Sequence, residues 1–147
     1  MDPIMENLRI LQEHAHYGLK EGAVTHKFYV KEGLADFTKK DPKTLHYVFL
    51  LHDVHLGHAL LLWTVGGHKA REELIEVTPA GYNLWLSRFD SLPALVRWFK
   101  EVGWRNASHC RKDWLQVWEK RNKEAAARRG PDAFADRPRA EFKGWAP

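Results

Sequence analysis

Between positions 52 and 58 the chain reads His52-Asp53-Val54-His55-Leu56-Gly57-His58, three imidazoles and a carboxylate within seven residues. Such side chains are metal ligands when several are held in fixed geometry. The second group with chemical potential is a scatter of cations: Lys20, Lys27, Arg71, Arg97 and Lys100, with Lys69 beside Arg71. If folding gathered two or three of them they would form a weak site for phosphoserine or phosphothreonine, because a phosphorylated side chain carries nearly two charges and three acceptor oxygens. Arginine answers that chemistry best, through its planar, permanently charged fork. Cys110 is the only cysteine, which leaves no disulfide framework and no cysteine-based zinc site. No serine–histidine–aspartate or cysteine–histidine arrangement and no glycine-rich phosphate loop stands in a recognisable context. The chemistry expected is therefore binding, without a cofactor.

Length and charge agree with that. The 147 residues, 44% hydrophobic and 12% aromatic, suffice for one domain with extensions. The net charge of +4 favours an anionic partner: phosphopeptide, nucleic acid or acidic protein. The apolar runs are strand-sized, far short of the roughly 20 residues of a membrane span, and no membrane partner is expected. The first residues lack the basic start and long apolar stretch of a signal peptide, so the intracellular side is expected.

These residues must be positioned by a short series of elements. Asp2-Pro3 opens a helix carrying Ile4, Leu8 and Leu11, expected to end near Tyr17-Gly18. Thr25 is expected to cap a second helix to about Lys40, with a stripe of Val30, Leu34 and Phe37, stopped by Asp41-Pro42. Buried strands are expected over 45–51, 59–65 and 73–78, separated by the polar connection 53–57 and the Gly66-Gly67 turn. From Tyr82 to Ser87 apolar and polar residues alternate, which predicts one half-exposed strand. Asp90 or Ser91 caps the next helix, where Leu92, Leu95, Val96 and Phe99 form one face and Gly103 the end. A charged helix from Arg111 to Arg129 follows, with an apolar patch of Trp114, Val117 and Trp118, then a proline-containing tail expected to be disordered. Strand links this short fit antiparallel hairpins. Phe49, Trp63, Tyr82 and Phe99 read as core, and Trp85 and Trp98 as candidates for exposed peptide contacts.

In order and spacing these features resemble the Src-homology-2 (SH2) family. Its phenylalanine-leucine-valine-arginine strand is matched by Phe49-Leu50-Leu51-His52, its glycine-aromatic step by Gly81-Tyr82, and its closing helix by Phe89-Asp90-Ser91-Leu92 and Leu95-Val96. A closer resemblance is to the C-terminal domain of the tandem SH2 pair in the suppressor-of-Ty-six transcription elongation factors, which are histone chaperones. It rests on Asp2-Pro3, Lys39-Lys40-Asp41-Pro42, Val77-Thr78-Pro79-Ala80-Gly81-Tyr82 and Arg97-Trp98-Phe99-Lys100, over roughly Asp2 to Trp104.

The resemblance implies an α+β, SH2-like fold: a small antiparallel sheet flanked by two helices, with a linker helix over 1–24, the SH2-like domain over 25–104 and a basic helical and disordered tail over 105–147. It implies a non-catalytic, nuclear module that binds a phosphorylated linker segment of the RNA polymerase II largest subunit, acting with a preceding SH2 domain outside this sequence. His52 stands where the family has its pocket arginine. A histidine offers no bidentate fork and is mostly uncharged at neutral pH, so a structural role is open to His52. Lys20, Lys27, Arg71, Arg97 and Lys100 are then the candidate phosphopeptide contacts with it.

Two other readings stand beside this one. The basic helix and tail, interleaved with aromatics, could bind nucleic acid. The histidine cluster superficially resembles the ligand set of histidine–aspartate metal phosphohydrolases, but those are all-helical, whereas this cluster joins two apolar strands.

Overall fold

The computed structural model describes residues 2–19, 24–52, 54–55 and 57–129. Among them lie four α-helices and five strands: α1 (Pro3–Gln12), α2 (Lys27–Lys40), β1 (His46–Leu51), β2 (His58–Thr64), β3 (Arg71–Thr78), β4 (Gly81–Leu84), β5 (Ser87–Phe89), α3 (Leu92–Glu101) and α4 (Ala107–Arg129), with a 3₁₀ turn (Gly103–Asn106) before α4. The strands form one antiparallel meander in chain order.

The sheet is covered on both faces, which is why β1 and β2 read as continuous apolar runs rather than alternating ones. Side chains still alternate. Tyr47, Phe49, Ala59, Leu61, Trp63, Ile75 and Val77 join Leu8 and Leu11 of α1 and Leu92, Leu95 and Phe99 of α3 in one core. Val48, Leu50, Leu60, Leu62 and Leu74 pack with Val30 and Leu34 of α2 on the opposite face. The expected α+β order, a sheet between two helices with a preceding helix and a charged trailing one, is the order found.

Several boundaries differ from expectation, each for a local reason. Asp2 caps α1 by accepting from the Ile4 N–H at 2.9 Å, but α1 stops at Gln12, not near Tyr17. The following residues instead supply backbone to the outer edge of β1. The Phe49 N–H donates to His16 O at 2.8 Å and the Gly18 N–H to Phe49 O at 2.9 Å, satisfying groups an uncovered edge would leave unpaired. The cap of α2 is His26, not Thr25; its ring accepts from the Phe28 N–H at 3.3 Å. The buried stripe of α2 continues through Thr38 rather than Phe37, which is 42% exposed. The Thr38 hydroxyl is needed inside because it accepts the Gly67 N–H of the β2–β3 turn at 2.9 Å.

The expected single strand from Tyr82 to Ser87 is two strands, β4 and β5, folded into a hairpin. Trp85 turns the chain with φ of 54° and is 6% exposed. A left-handed tryptophan is uncommon, and here burial of its indole outweighs the backbone cost. The expectation that Trp85 is an exposed peptide contact is therefore corrected. Trp98 is half-buried as well, packed against Phe89 and Trp85. Gly81 begins β4 at φ of 144°, where a Cβ would lie 2.1 Å from Phe89 O, so no side chain fits. Finally, α4 starts at Ala107, four residues earlier than the charge pattern indicated, and β3 starts at Arg71.

Candidate anion-binding site

Where β2 ends and β3 begins, this end of the sheet meets the 3₁₀ turn and the first turn of α4. Between them is a cavity of about 250 Å³ lined by Trp63, Thr64, Val65, His68, Lys69, Arg71, Trp104, Arg105 and Ser108. The lining holds two guanidinium groups, one ammonium and one imidazole, and no acidic side chain.

Both arginines lie over tryptophans. Trp63 and Arg71 are cross-strand partners in the β2–β3 register, and the Arg71 guanidinium carbon sits 5.3 Å from the Trp63 ring centre. Across the cavity the Arg105 guanidinium carbon is 5.1 Å from the Trp104 ring centre, and its Nη1 donates to Glu101 O at 3.2 Å. Trp104 is itself tethered, its Nε1–H donating to Lys100 O at 3.0 Å. Stacking holds a flat cation while leaving its edge free to donate. Two lining residues are tied together by the Thr64 hydroxyl, which donates to His68 O at 2.6 Å.

A buried carboxylate bonds one of the lining tryptophans. Glu73 is 1% exposed and faces the α1/α3 side of the sheet, as do Arg71 two residues before it and Ile75 two after. It accepts from Trp63 Nε1–H at 2.8 Å, Trp85 Nε1–H at 3.2 Å and Arg111 Nε–H at 2.9 Å, and from Arg111 Nη2 in a second, shorter bond. The neighbouring Glu72 points to the other face and takes Lys27 at 3.1 Å and Lys31 at 2.6 Å from α2.

The candidates from sequence are thus distributed over the molecule. Arg71 is in the cavity. Lys27 lies on the opposite face and is ion-paired to Glu72. His52 closes the loop after β1: its Nδ1 accepts the Val54 N–H at 3.2 Å and the His55 N–H at 3.1 Å. Arg97 and Lys100 are exposed on α3, outside the cavity lining. Lys20 lies outside the described residues, as does the chain after Arg129. Sequence reasoning missed Arg105, Ser108 and His68 as cavity residues, and the Glu73–Arg111 pair altogether. The Trp104-Arg105 dipeptide just after a helix-ending glycine was the available hint for the first.

Within the histidine cluster the rings of His52 and His55 are 5.0 Å apart and those of His55 and His58 5.8 Å apart. Among the described residues, no three histidine, cysteine, aspartate or glutamate side chains are gathered to hold a metal ion. A second cleft, of about 240 Å³, between the β4–β5 hairpin and α4 mixes Arg88 and Arg121 with Glu76. It lacks the single sign of the first.

The sequence model of the SH2 domain matches residues 1–102. The chain belongs to the SH2 domain family. It is similar to transcription elongation factor SPT6 of Drosophila melanogaster, 39% identical over 61 residues, which is 42% of this chain and 3% of that protein. Among solved structures it is similar to a tandem SH2 domain of transcription elongation factor Spt6 that binds the phosphorylated RNA polymerase II C-terminal repeat domain. The TM-score there is 0.58 with 20% identity, over 67% of this chain and 48% of that one. It is similar also to the tandem SH2 domains of Antonospora locustae Spt6, with a TM-score of 0.50 and 23% identity, over 67% of this chain and 50% of that one. This SH2 chain therefore spans about half the length of those tandem structures. SH2 domains are in general binding modules without catalytic activity. His52, the first residue after β1, is engaged with its own loop through the Val54 and His55 N–H groups.

Proposed function

We propose that this chain is a non-catalytic SH2 module of the Spt6 type that binds a phosphorylated segment of the largest RNA polymerase II subunit during transcription elongation, in the nucleus. The observation that carries the reading is the cavity at the β2–β3 end, where Arg71, Arg105 and Lys69 converge with no acidic neighbour in the lining. The two arginines, each stacked on a tryptophan, present forks to phosphate oxygens. Lys69 adds a point charge, and the Ser108 hydroxyl a further donor. Arg97 and Lys100 on α3 extend the positive surface along which the flanking peptide runs. Lys27 and His52 serve the fold: one balances Glu72, the other caps a loop.

The similarity to tandem SH2 structures supports a neighbouring SH2 domain as the intramolecular partner. A single open pocket gives modest affinity, and tethering to a second site raises it through effective concentration. The test is fluorescence anisotropy with a labelled polymerase linker peptide, phosphorylated and unphosphorylated. Selective binding of the phosphorylated form, lost in Arg71→Ala and Arg105→Ala and kept in His52→Ala, is the expected result. Equal binding of both forms, or stronger binding to RNA at matched salt, sinks the reading.

A further inference from the structure

The Glu73 carboxylate is an awkward neighbour for an anion site. It lies two residues along β3 from Arg71 on the same face of the sheet, a separation of about 7 Å along a strand. It also bonds the edge of Trp63, the ring on which Arg71 rests. An uncompensated carboxylate there would repel a phosphate and compete with it for Arg71. Arg111 removes that competition. It donates twice to Glu73, its side chain is 11% exposed, and it comes from α4, beyond the residues matched by the SH2 family model.

We infer that Arg111 acts as a positioning residue that neutralises Glu73, so that Arg71 stays available to a phosphate group in the cavity. The segment after the SH2 match is on this view part of the binding apparatus in two ways. Arg105 and Ser108 line the cavity, and Arg111, about one helical turn beyond Ser108, both anchors that segment to the sheet and cancels the Glu73 charge. This inference rests on the phosphate-binding reading above and adds a sign to it. Removing the carboxylate should strengthen phosphate binding, and removing its partner should weaken it. A residue pair that only held the fold together would weaken binding in both cases.

The experiment uses the whole chain and two probes, the phosphorylated linker peptide and inorganic phosphate. Binding is read by anisotropy and by the indole N–H signals of Trp63 and Trp104 in nuclear magnetic resonance spectra. In Glu73→Gln, with Arg111 kept, affinity for both probes is expected to rise severalfold. In Arg111→Met it is expected to fall by at least about tenfold, the effect of one uncompensated charge within roughly 10 Å of the bound phosphate in a partly buried setting. The double variant Glu73→Gln/Arg111→Met returns to near the parent affinity, and it remains folded because no buried charge is left unpaired. A folded Glu73→Gln protein with unchanged or weaker binding overturns the inference, as does a double variant as weak as Arg111→Met. If inorganic phosphate follows the expected order and the peptide does not bind, the polymerase assignment fails and the role of Arg111 stands. If neither probe binds, both fall.

Discussion

Replacing Arg111 by methionine is the sharpest stability test the structure offers. Glu73 is 1% exposed and accepts four hydrogen bonds, two of them from Arg111 and two from neutral indoles. Methionine keeps the bulk of the arginine stem but leaves the carboxylate buried with only the indoles. Breaking a buried ion pair from one side costs about 3–5 kcal/mol, a large share of the roughly 5–15 kcal/mol of a folded domain. With a urea slope of about 2 kcal/mol/M, the midpoint should move down by about 2 M. Urea titration followed by far-ultraviolet circular dichroism measures it. Adding Glu73→Gln removes the stranded charge while its amide oxygen still accepts from an indole, so the double variant should recover at least about half of the loss. An Arg111→Met protein that loses under about 1 kcal/mol, or a double variant whose losses simply add, refutes the description of this pair as a buried, mutually dependent unit.

Three further outcomes follow from other positions. The Tyr82 hydroxyl donates to Asn7 O at 2.6 Å across the α1 interface, so Tyr82→Phe should cost about 1 kcal/mol in the same assay. Burial, with a smaller contribution from the Glu6 charge, pushes the Tyr82 phenol up to about 12 from 10. The folded state thus holds this proton more tightly than the unfolded chain. The stabilisation is complete below about pH 10 and is lost as pH rises toward 12, so Tyr82→Phe should flatten the alkaline fall in stability; an unchanged alkaline profile would contradict the assignment. Gly81→Ala should cost more than about 1 kcal/mol, since its Cβ would fall 2.1 Å from Phe89 O; a neutral result would mean the β4–β5 hairpin is placed otherwise. Burial, and then the charge of Asp113, raise the Cys110 thiol, so its alkylation at neutral pH should be slower than that of a free thiol in solution.

Much of the fold was legible because its signals are local. Asp2-Pro3 and Ser91 cap their helices through bonds to residues two and three positions on, and the two-faced burial of β1 and β2 shows as unbroken apolar runs. What was not legible depends on contacts distant in sequence. Nothing in the alternation from Tyr82 to Ser87 marks Trp85 as a turn residue, because its burial is set by Glu73 and by α3. Phe37 and Thr38 exchange roles because a turn 29 residues away needs a hydroxyl acceptor. The site divides the same way. Arg71 could be singled out by residue type alone, but its convergence with Arg105 depends on where α4 starts. The Arg111–Glu73 pair joins residues 38 positions apart, one of which read only as part of a charged helix. Lys27 looked equally suitable by charge, and only packing shows that Glu72 occupies it.

We propose that the stacked arginines of the β2–β3 cavity hold a phosphate, and this is tested most directly by the affinity of the intact chain for one polymerase linker peptide with and without its phosphate, compared between the parent protein and Arg71→Ala. The expected result is at least about tenfold preference for the phosphorylated peptide, abolished by the substitution, as for loss of a charge-assisted hydrogen-bond pair worth about 1.5–3 kcal/mol. A preference that survives in Arg71→Ala, or that disappears instead in His52→Ala, would place the phosphate elsewhere on the domain and contradict the claim.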